Sequence, residues 1–181
     1  MGESFVNIEN VVVSASLNRD LNLNLIAQAF QIAYRRANFP GLVYRLKKPK
    51  TVFLIFSSGK MICIGAKSER QAKKAVMRVT EDLTQKGIAV MGKPGIQIQN
   101  VVASGSLGGT VDLEKLVYSL KGTIYEPEQF PGLIYRMEDP KVVVLIFTSG
   151  RIVITGAKKE ADVRLALTTL KRTLEKRDLI Y

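Results

Sequence analysis

The chain has 181 residues, 46% hydrophobic and 24% charged, a composition typical of a globular protein with room for one or two domains. It contains no histidine and one cysteine, which excludes His-dependent nucleophiles, an internal disulfide and a zinc site built on Cys63 alone. A formal net charge of +11 favours a polyanionic partner, nucleic acid first, although a generally basic solvated surface explains the same excess.

The N-terminal sequence and the apolar runs bear on the location of the protein. The stretch MGESFVNIEN lacks a basic region followed by an apolar run, so no secretory signal is expected. The longest apolar runs have the length of a strand, which predicts no membrane span and no membrane partner. Together with the single cysteine, these features predict an intracellular protein.

The first part of the chain predicts a strand, a helix, three hairpin-linked strands and a longer helix. In order, these elements are expected at 5–17, 21–36, 42–48, 50–57, 60–66 and 68–86. Asp20 is expected to cap the first helix, where Arg35 and Arg36 suit the C-terminal dipole. Ser68 and Gln71 form a capping-box signature for the longer helix.

The second part of the chain repeats this order after a turn. Gly87 is expected at the C′ position of the longer helix, and a strand is predicted near 88–92. The two later helices are expected at about 112–121 and 159–176. Hairpin-linked strands followed by helices favour an α+β fold with an antiparallel sheet and helices on one face.

An internal duplication explains the repeated order of elements. Residues 39–67 (FPGLVYRLKKPKTVFLIFSSGKMICIGAK) return at 130–158, with 17 of the 29 positions identical. Upstream, IENVVVSASL at 8–17 returns as IQNVVASGSL at 98–107. Two copies of a unit of about 90 residues favour one pseudo-symmetric domain rather than a solenoid. The repeats are predicted at 1–93 and 94–181.

The central strand of each repeat is apolar on both faces. In TVFLIF at 51–56, Val52, Leu54 and Phe56 share one face, and VVVLIF at 142–147 has the same pattern. One face must contact the helices, and the other needs a second sheet, a partner subunit or a ligand. A sandwich core or a subunit interface is the ordinary interpretation of such a face, whereas the polar and cationic residues at the same parity suit the minor groove of DNA.

The repeated motifs resemble those of the TATA-box-binding protein family. They are FPGL[VI]YR, PK before a strand ending LIF-x-SG-[KR], a closing GAK, and EN or QN before Val-Val. The resemblance spans about residues 5–176 and is to the archaeal type. It implies a saddle with a curved antiparallel sheet of about ten strands and helices on the convex face. The family is itself a standard case of minor-groove binding with kinking by apolar wedges.

The resemblance also implies roles for individual residues. The intercalating pairs would be Phe39 with Phe56, and Phe130 with Phe147. The residues expected to contact bases are Asn10, Asn100, Val12, Val102, Leu54, Leu145, Ile62, Val153 and Thr155. Those expected to contact phosphates are Arg45, Ser58, Lys60, Lys67, Arg136, Ser149, Arg151 and Lys158.

The implied partners are promoter DNA with a TATA box, transcription factor B and the RNA polymerase initiation complex. Glu126 and Glu128 in YEPEQF would contact transcription factor B. No catalysis, metal or cofactor is implied, and a weak homodimer without DNA is left open. Location in the cytoplasm, on the nucleoid, follows for an archaeal protein.

Two departures from the family pattern matter. Ile64 stands where the family has a threonine, so one central hydroxyl contact is expected to be lost. The chain ends in RDLIY, without the acidic tail of many archaeal members.

Overall fold

The structure, a computed structural model, describes residues 2–88 and 92–181. Its contacts divide the chain into two compact units. The first unit is Asn10–Gln99, and the second unit combines Met1–Glu9 with Asn100–Tyr181. Each unit therefore holds most of one repeat and a short segment from the other.

The strands and helices follow the predicted order in both repeats. The strands are β1 (Phe5–Ser16), β2 (Leu42–Leu46), β3 (Thr51–Ile55), β4 (Lys60–Ala66), β5 (Gly95–Ser106), β6 (Thr123–Ile124), β7 (Leu133–Met137), β8 (Val142–Ile146) and β9 (Arg151–Ala157). The helices are α1 (Leu23–Ala29), α2 (Glu69–Gln85), α3 (Leu113–Ser119) and α4 (Glu160–Lys176).

The strands have the order β2-β3-β4-β1-β5-β9-β8-β7-β6, in which the four strands of the first repeat precede the five strands of the second. The pairings of β4 with β1 and β3, and of β9 with β5 and β8, are antiparallel. The α+β antiparallel fold is thus confirmed, with nine strands among the described residues against about ten predicted. The strand predicted near 88–92 falls largely on 89–91, which lie outside the described residues.

The core of each unit lies between one long helix and one face of the sheet. Along β3, Phe53 and Ile55 are fully buried, and α2 buries an alanine- and valine-rich stripe that includes Val76 and Val79. In the second unit, α4 buries Val163, Ala166, Leu170 and Leu174. Burial of each large apolar side chain contributes about 1.5–3 kcal/mol to stability. The long helices cover one face of the sheet, and the opposite face is left open.

The prediction for the first helix is wrong in its length and its cap. The helix α1 has seven residues, and the Asn22 side chain rather than Asp20 accepts a hydrogen bond from its first turn. It ends because Gln31 adopts a left-handed conformation with φ of 54°. The Ile32 N–H then donates to the Ala27 carbonyl, a Schellman closure that places Arg35 and Arg36 beyond the helix.

The longer helix begins and ends where its sequence signals predict. The Ser68 hydroxyl accepts a hydrogen bond of 2.9 Å from the Gln71 N–H. The Gln71 side chain accepts in return from Lys67, one residue earlier than in the usual capping box. Gly87 closes the helix with φ of 78°. Over residues 2–88 and 92–181, no helix is both long and apolar enough to cross a membrane.

Candidate nucleic-acid interface

The sheet face opposite the long helices carries a row of apolar side chains in each unit. In the first unit, Leu54 lies between Val43 and Ile62 on the neighbouring strands. In the second unit, Leu145 lies between Ile134 and Val153 in the same way. The six predicted floor residues are all half-buried on this face: Val12, Leu54, Ile62, Val102, Leu145 and Val153.

Four further residues of the same rows were missed from the predicted site. They are Val43, Val52, Ile134 and Val143, which are half-buried or exposed. Val52 pairs with Ile64, and Val143 pairs with Thr155, so each row continues to the strand before the GAK motif. The alternation of side chains along the strand is enough to place Val52 and Val143 on this face. Placing Val43 and Ile134 there also requires the register of the hairpin.

The four predicted phenylalanines form two close pairs. The ring centroids of Phe39 and Phe56 are 6.1 Å apart, with an angle of 64° between the ring planes. Those of Phe130 and Phe147 are 5.9 Å apart at 68°. The first ring of each pair is exposed, at 39% for Phe39 and 37% for Phe130. Edge-to-face packing therefore fixes the paired rings at the surface.

The glycine of each FPG motif makes this packing possible. A Cβ atom on Gly41 would lie 2.8 Å from Phe39 Cε1 and 3.0 Å from Phe56 Cε1. On Gly132 the corresponding distances are 2.7 Å and 3.0 Å to the second pair. Both rings thus rest on bare backbone, and a side chain at either glycine would displace them.

A long-range hydrogen bond orients the amide of each predicted asparagine. The Gly65 N–H donates to Asn10 Oδ1 at 2.7 Å, and the Gly156 N–H donates to Asn100 Oδ1 at 2.7 Å. Since the amide oxygen is held by a backbone donor, the NH₂ group of each side chain points the other way. Each unit consequently offers amide donors on its open face.

The two units differ beside these asparagines. Asn100 Nδ2 lies 3.3 Å from Thr155 Oγ1, so the Thr155 hydroxyl accepts from the amide and keeps a hydrogen to donate. At the equivalent place in the first unit, Ile64 is half-buried and has no hydroxyl. The predicted loss of one hydroxyl is therefore present in the structure, and its effect on binding stays a prediction.

The eight residues predicted to meet phosphates are all exposed. Half of them lie in each unit, and they are Arg45, Ser58, Lys60, Lys67, Arg136, Ser149, Arg151 and Lys158. In the tight turns of the two units, the Ser58 and Ser149 hydroxyls accept weak hydrogen bonds from the N–H two residues later, at 3.5 Å and 3.4 Å. Each hydroxyl hydrogen can still be donated to an anion.

A cleft in the second unit adds residues that the motifs do not identify. Its volume is about 720 Å³, and Phe147, Ser149 and Arg151 line it together with Phe5 and Asn7 from the start of β1. The Phe5 ring is 51% exposed. The equivalent positions of the other repeat are Gly95 and Gln97, so the aromatic side chain is present in one unit alone. Phe5 and Asn7 lie here because the segment Met1–Glu9 belongs to the second unit, which the sequence patterns do not show.

The turns before the two FPG motifs share one backbone geometry but carry opposite charges. The Phe130 and Gln129 N–H groups both donate to the Glu126 carbonyl, at 3.0 Å each. The Phe39 and Asn38 N–H groups donate in the same manner to Arg35. Glu126 and Glu128 are exposed, as a partner contact requires, whereas the equivalent turn of the first unit carries an arginine.

The buried titratable groups belong to the core side of the sheet. Burial raises the pKa of the Cys63 thiol to about 11, more than a weak hydrogen bond with Thr51 lowers it. The thiol is therefore protonated at neutral pH and is a packing group. Across the described ranges, 2–88 and 92–181, His, Cys, Asp and Glu residues do not gather in groups of three that could hold a metal ion.

The duplicated α+β fold leaves one apolar sheet face open in each unit, with exposed cationic side chains on the same unit. The chain belongs to the family described as "Transcription factor TFIID (or TATA-binding protein, TBP)", whose family model matches residues 5–86 and 95–177. This is a family of transcription factors, in agreement with the expectation that the chain is not an enzyme.

Relatives of known identity cover nearly the whole chain. It is 50% identical over 171 residues to the TATA-box-binding protein of Pyrodictium occultum, covering 94% of this chain and 86% of that protein. For the same protein of Methanothermobacter thermautotrophicus, the identity is 46% over 176 residues, and 97% of each chain is covered. A solved structure, "Methanococcus jannaschii TBP", matches with a TM-score of 0.83 and 45% identity, over 94% of this chain and 98% of that chain. The predicted family and its archaeal type are confirmed.

Proposed function

We propose that this protein is a transcription initiation factor that binds the minor groove of TATA-box promoter DNA and bends it. The repeated open sheet face, with a surface pair of phenylalanines in each unit, carries this proposal. Residues 1–93 and 94–181 act together as one DNA-binding domain. No covalent chemistry is required, because the binding energy itself deforms the duplex.

The phenylalanine pairs act as the wedges. Phe39 with Phe56, and Phe130 with Phe147, each insert into a base step from the minor-groove side and unstack it. Insertion costs a few kcal/mol per step, which burial of the apolar rows offsets. The packing of each pair on a glycine supports this role, because preorganised rings lose little conformational freedom on insertion.

The asparagines and the apolar rows select A·T pairs. In the minor groove an A·T pair shows the acceptors adenine N3 and thymine O2, to which the NH₂ groups of Asn10 and Asn100 donate. A guanine N2 amino group would place a donor against these donors and would clash with the apolar floor. The Thr155 hydroxyl adds a donor in the second unit, where Ile64 of the first unit has none.

The exposed cations and hydroxyls position the duplex. Phosphate contacts fix register and orientation without reading the base sequence. They also make the affinity fall as the salt concentration rises. A plot of log K against log[salt] becomes steeper by about 0.9 for each phosphate that the protein neutralises. The eight predicted residues suit this role because all of them are exposed.

The acidic turn of the second unit binds the next protein of the initiation complex. Glu126 and Glu128 would contact a basic surface of transcription factor B, which in turn recruits RNA polymerase. The opposite charge of the equivalent Arg35 turn supports a contact confined to the second unit. Acting in this complex, the protein would work inside the cell on the nucleoid.

The test is energy transfer between dyes on the two ends of a short duplex. A TATA-containing duplex and a G·C-rich duplex of equal length are compared at two salt concentrations. We expect a large rise in transfer for the TATA duplex alone, because only an A·T-rich groove admits the apolar floor.

Binding of equal strength to both duplexes without a rise in transfer would refute the proposal. The apolar face would then be a protein interface, and a dimer that persists at dilution in sedimentation would identify it.

A further inference from the structure

The turn between the first two hairpin strands differs strongly in charge between the repeats. In the first unit it reads Lys47-Lys48-Pro49-Lys50, and in the second Glu138-Asp139-Pro140-Lys141. The first carries three positive charges and the second a net charge of −1, a difference of four. The charged side chains of both turns are all exposed.

In the first unit the turn borders a cationic cleft. The cleft has a volume of about 720 Å³, and its cationic lining residues are Arg45, Lys47, Lys50 and Lys67. Among the described residues that line it, none is acidic. Val52 and Ile64, which belong to the open sheet face, also line the cleft, so it continues the proposed DNA-binding surface.

In the second unit the same turn lies in a mixed electrostatic environment. Glu138 and Asp139 line a cleft of about 640 Å³ together with Lys121, Arg136 and Arg177. The carboxylates offset the nearby cations and repel phosphate. A duplex that extends beyond the A·T-rich segment is consequently attracted more strongly at the first-unit turn than at the second-unit turn.

The geometry points to a phosphate-binding surface at the first-unit turn that takes the duplex backbone beyond the A·T-rich segment and thereby orients the protein on DNA. The inference rests on the proposed function, because it requires a duplex already seated on the open face. Base contacts of two similar repeats discriminate weakly between the two directions. The four-charge difference between the turns supplies the direction instead.

The reach of this effect is short at physiological salt. Charges are screened over about 8–10 Å at 0.1–0.15 M ionic strength, so only the phosphates next to the turn contribute. Each phosphate that Lys47 or Lys48 neutralises should add about 0.9 to the salt slope. The orientation preference should accordingly fade as salt rises.

The experiment uses a duplex whose A·T core reads the same in both directions and which has a flank of about ten base pairs on one side only. The protein is labelled through Tyr118→Cys, since Tyr118 is 92% exposed on α3 whereas the native Cys63 is 1% exposed. Energy transfer to a donor dye on either DNA end separates the two orientations. At low salt we expect complexes with the first unit next to the flank to outnumber complexes in the reverse orientation by a ratio of about five.

Two sets of variants test the cause. The double variant Lys47→Glu with Lys48→Asp should bring the ratio to about 1 and lower the salt slope by about 2. Combining it with Glu138→Lys and Asp139→Lys exchanges the turns, keeps the net charge at +11 and should invert the ratio. This exchange is the matched control, because total attraction to DNA is unchanged.

A ratio near 1 for the unsubstituted protein on a duplex that it bends would overturn the inference and leave the proposed function standing. A ratio or salt slope that the turn exchange does not alter would overturn it as well. If the A·T core is not bent at all, both the inference and the proposed function fail.

Discussion

The two units share the geometry of their binding elements and differ in the charge around them. Each seats a phenylalanine pair on a glycine and orients an asparagine with a backbone N–H, at nearly identical distances. By contrast, the turn before the FPG motif carries Arg35 in one unit and Glu126 in the other. The hairpin turns KKPK and EDPK differ in the same direction.

This contrast separates two kinds of constraint. Contacts with the symmetric features of a duplex require the same distances twice, so the repeats preserve their glycines, rings and amides. Direction along DNA and partner choice need a difference between the halves, and exposed turns can change charge without disturbing the core. Variants that break the shared geometry or remove a difference distinguish the two constraints.

The largest effect is expected from breaking one phenylalanine pair. Phe147→Ala should lower specific affinity about a hundredfold and reduce bending, because one wedge is lost. The salt slope should stay nearly constant, since no phosphate contact is removed. Phe56→Ala is the matched change in the first unit, and Tyr118→Ala at an exposed helix site is the control. A salt slope that falls by several units in Phe147→Ala would contradict the wedge role.

Ionisation of Tyr44 should lower the stability of the protein at alkaline pH. Burial, followed by the hydrogen bond of 2.8 Å to Asp82, raises the pKa of Tyr44 from 10.0 to about 12. Because the folded pKa is raised, this stabilisation is complete below pH 10 and is lost as pH rises towards 12, by at most about 2.7 kcal/mol. Denaturant unfolding between pH 9 and about 11.5 measures it.

Tyr44→Phe is the matched variant for this pH effect. It removes the ionisable hydroxyl and should flatten the alkaline loss relative to the unsubstituted protein, while the lysines that titrate in the same range are common to both. Equal pH slopes for the two proteins would show that the Tyr44 proton does not contribute.

Replacing the asparagines tests the amide donors of each half. Asn10→Asp and Asn100→Asp keep an oxygen for the glycine N–H but lose the NH₂ group, so each should weaken TATA binding about tenfold to thirtyfold. Competition binding against a G·C-rich duplex measures the loss of discrimination. Equal losses on both duplexes would indicate general repulsion of DNA rather than base readout.

Adding a methyl group beneath the rings should have a smaller effect. Gly41→Ala introduces a Cβ 2.8 Å from the Phe39 ring, and no positive φ strains the new residue. The ring must move, so we expect about a tenfold loss of affinity with little change in unfolding free energy. Gly132→Ala is its counterpart, and bending measured for both should fall by similar amounts.

The smallest effect is expected where the halves differ by one hydroxyl. Ile64→Thr should give the first unit the donor that Thr155 supplies in the second, strengthening TATA binding about threefold. Thr155→Ile should weaken it by a similar factor. Titration calorimetry of both variants checks the pair, and a weaker complex for Ile64→Thr would mean that the apolar contact matters more there.

The repeats, the sheet faces and the paired phenylalanines could be predicted because they depend on local or periodic signals. Strand parity alone separates Phe53 from Leu54, and the duplication places every motif twice. The end of α1 could not be predicted, since Gln31 rather than a glycine takes the left-handed conformation there. Asn10 was identified, but its amide orientation depends on Gly65, 55 residues away. Phe5 was missed because its neighbours come from the other repeat.

The division of β1 between the units has a consequence for the origin of the chain. The segment before Asn10 belongs to the second unit, where the Ser104 hydroxyl donates to Glu9 at 2.6 Å. Conversely, Gln99 belongs to the first unit and donates to Ser14 at 2.8 Å. A gene encoding a single repeat would yield a polypeptide whose leading segment has its docking site on another molecule. Two such polypeptides would have to exchange these segments, and joining them in one chain allows corresponding turns, such as those of Arg35 and Glu126, to carry opposite charges.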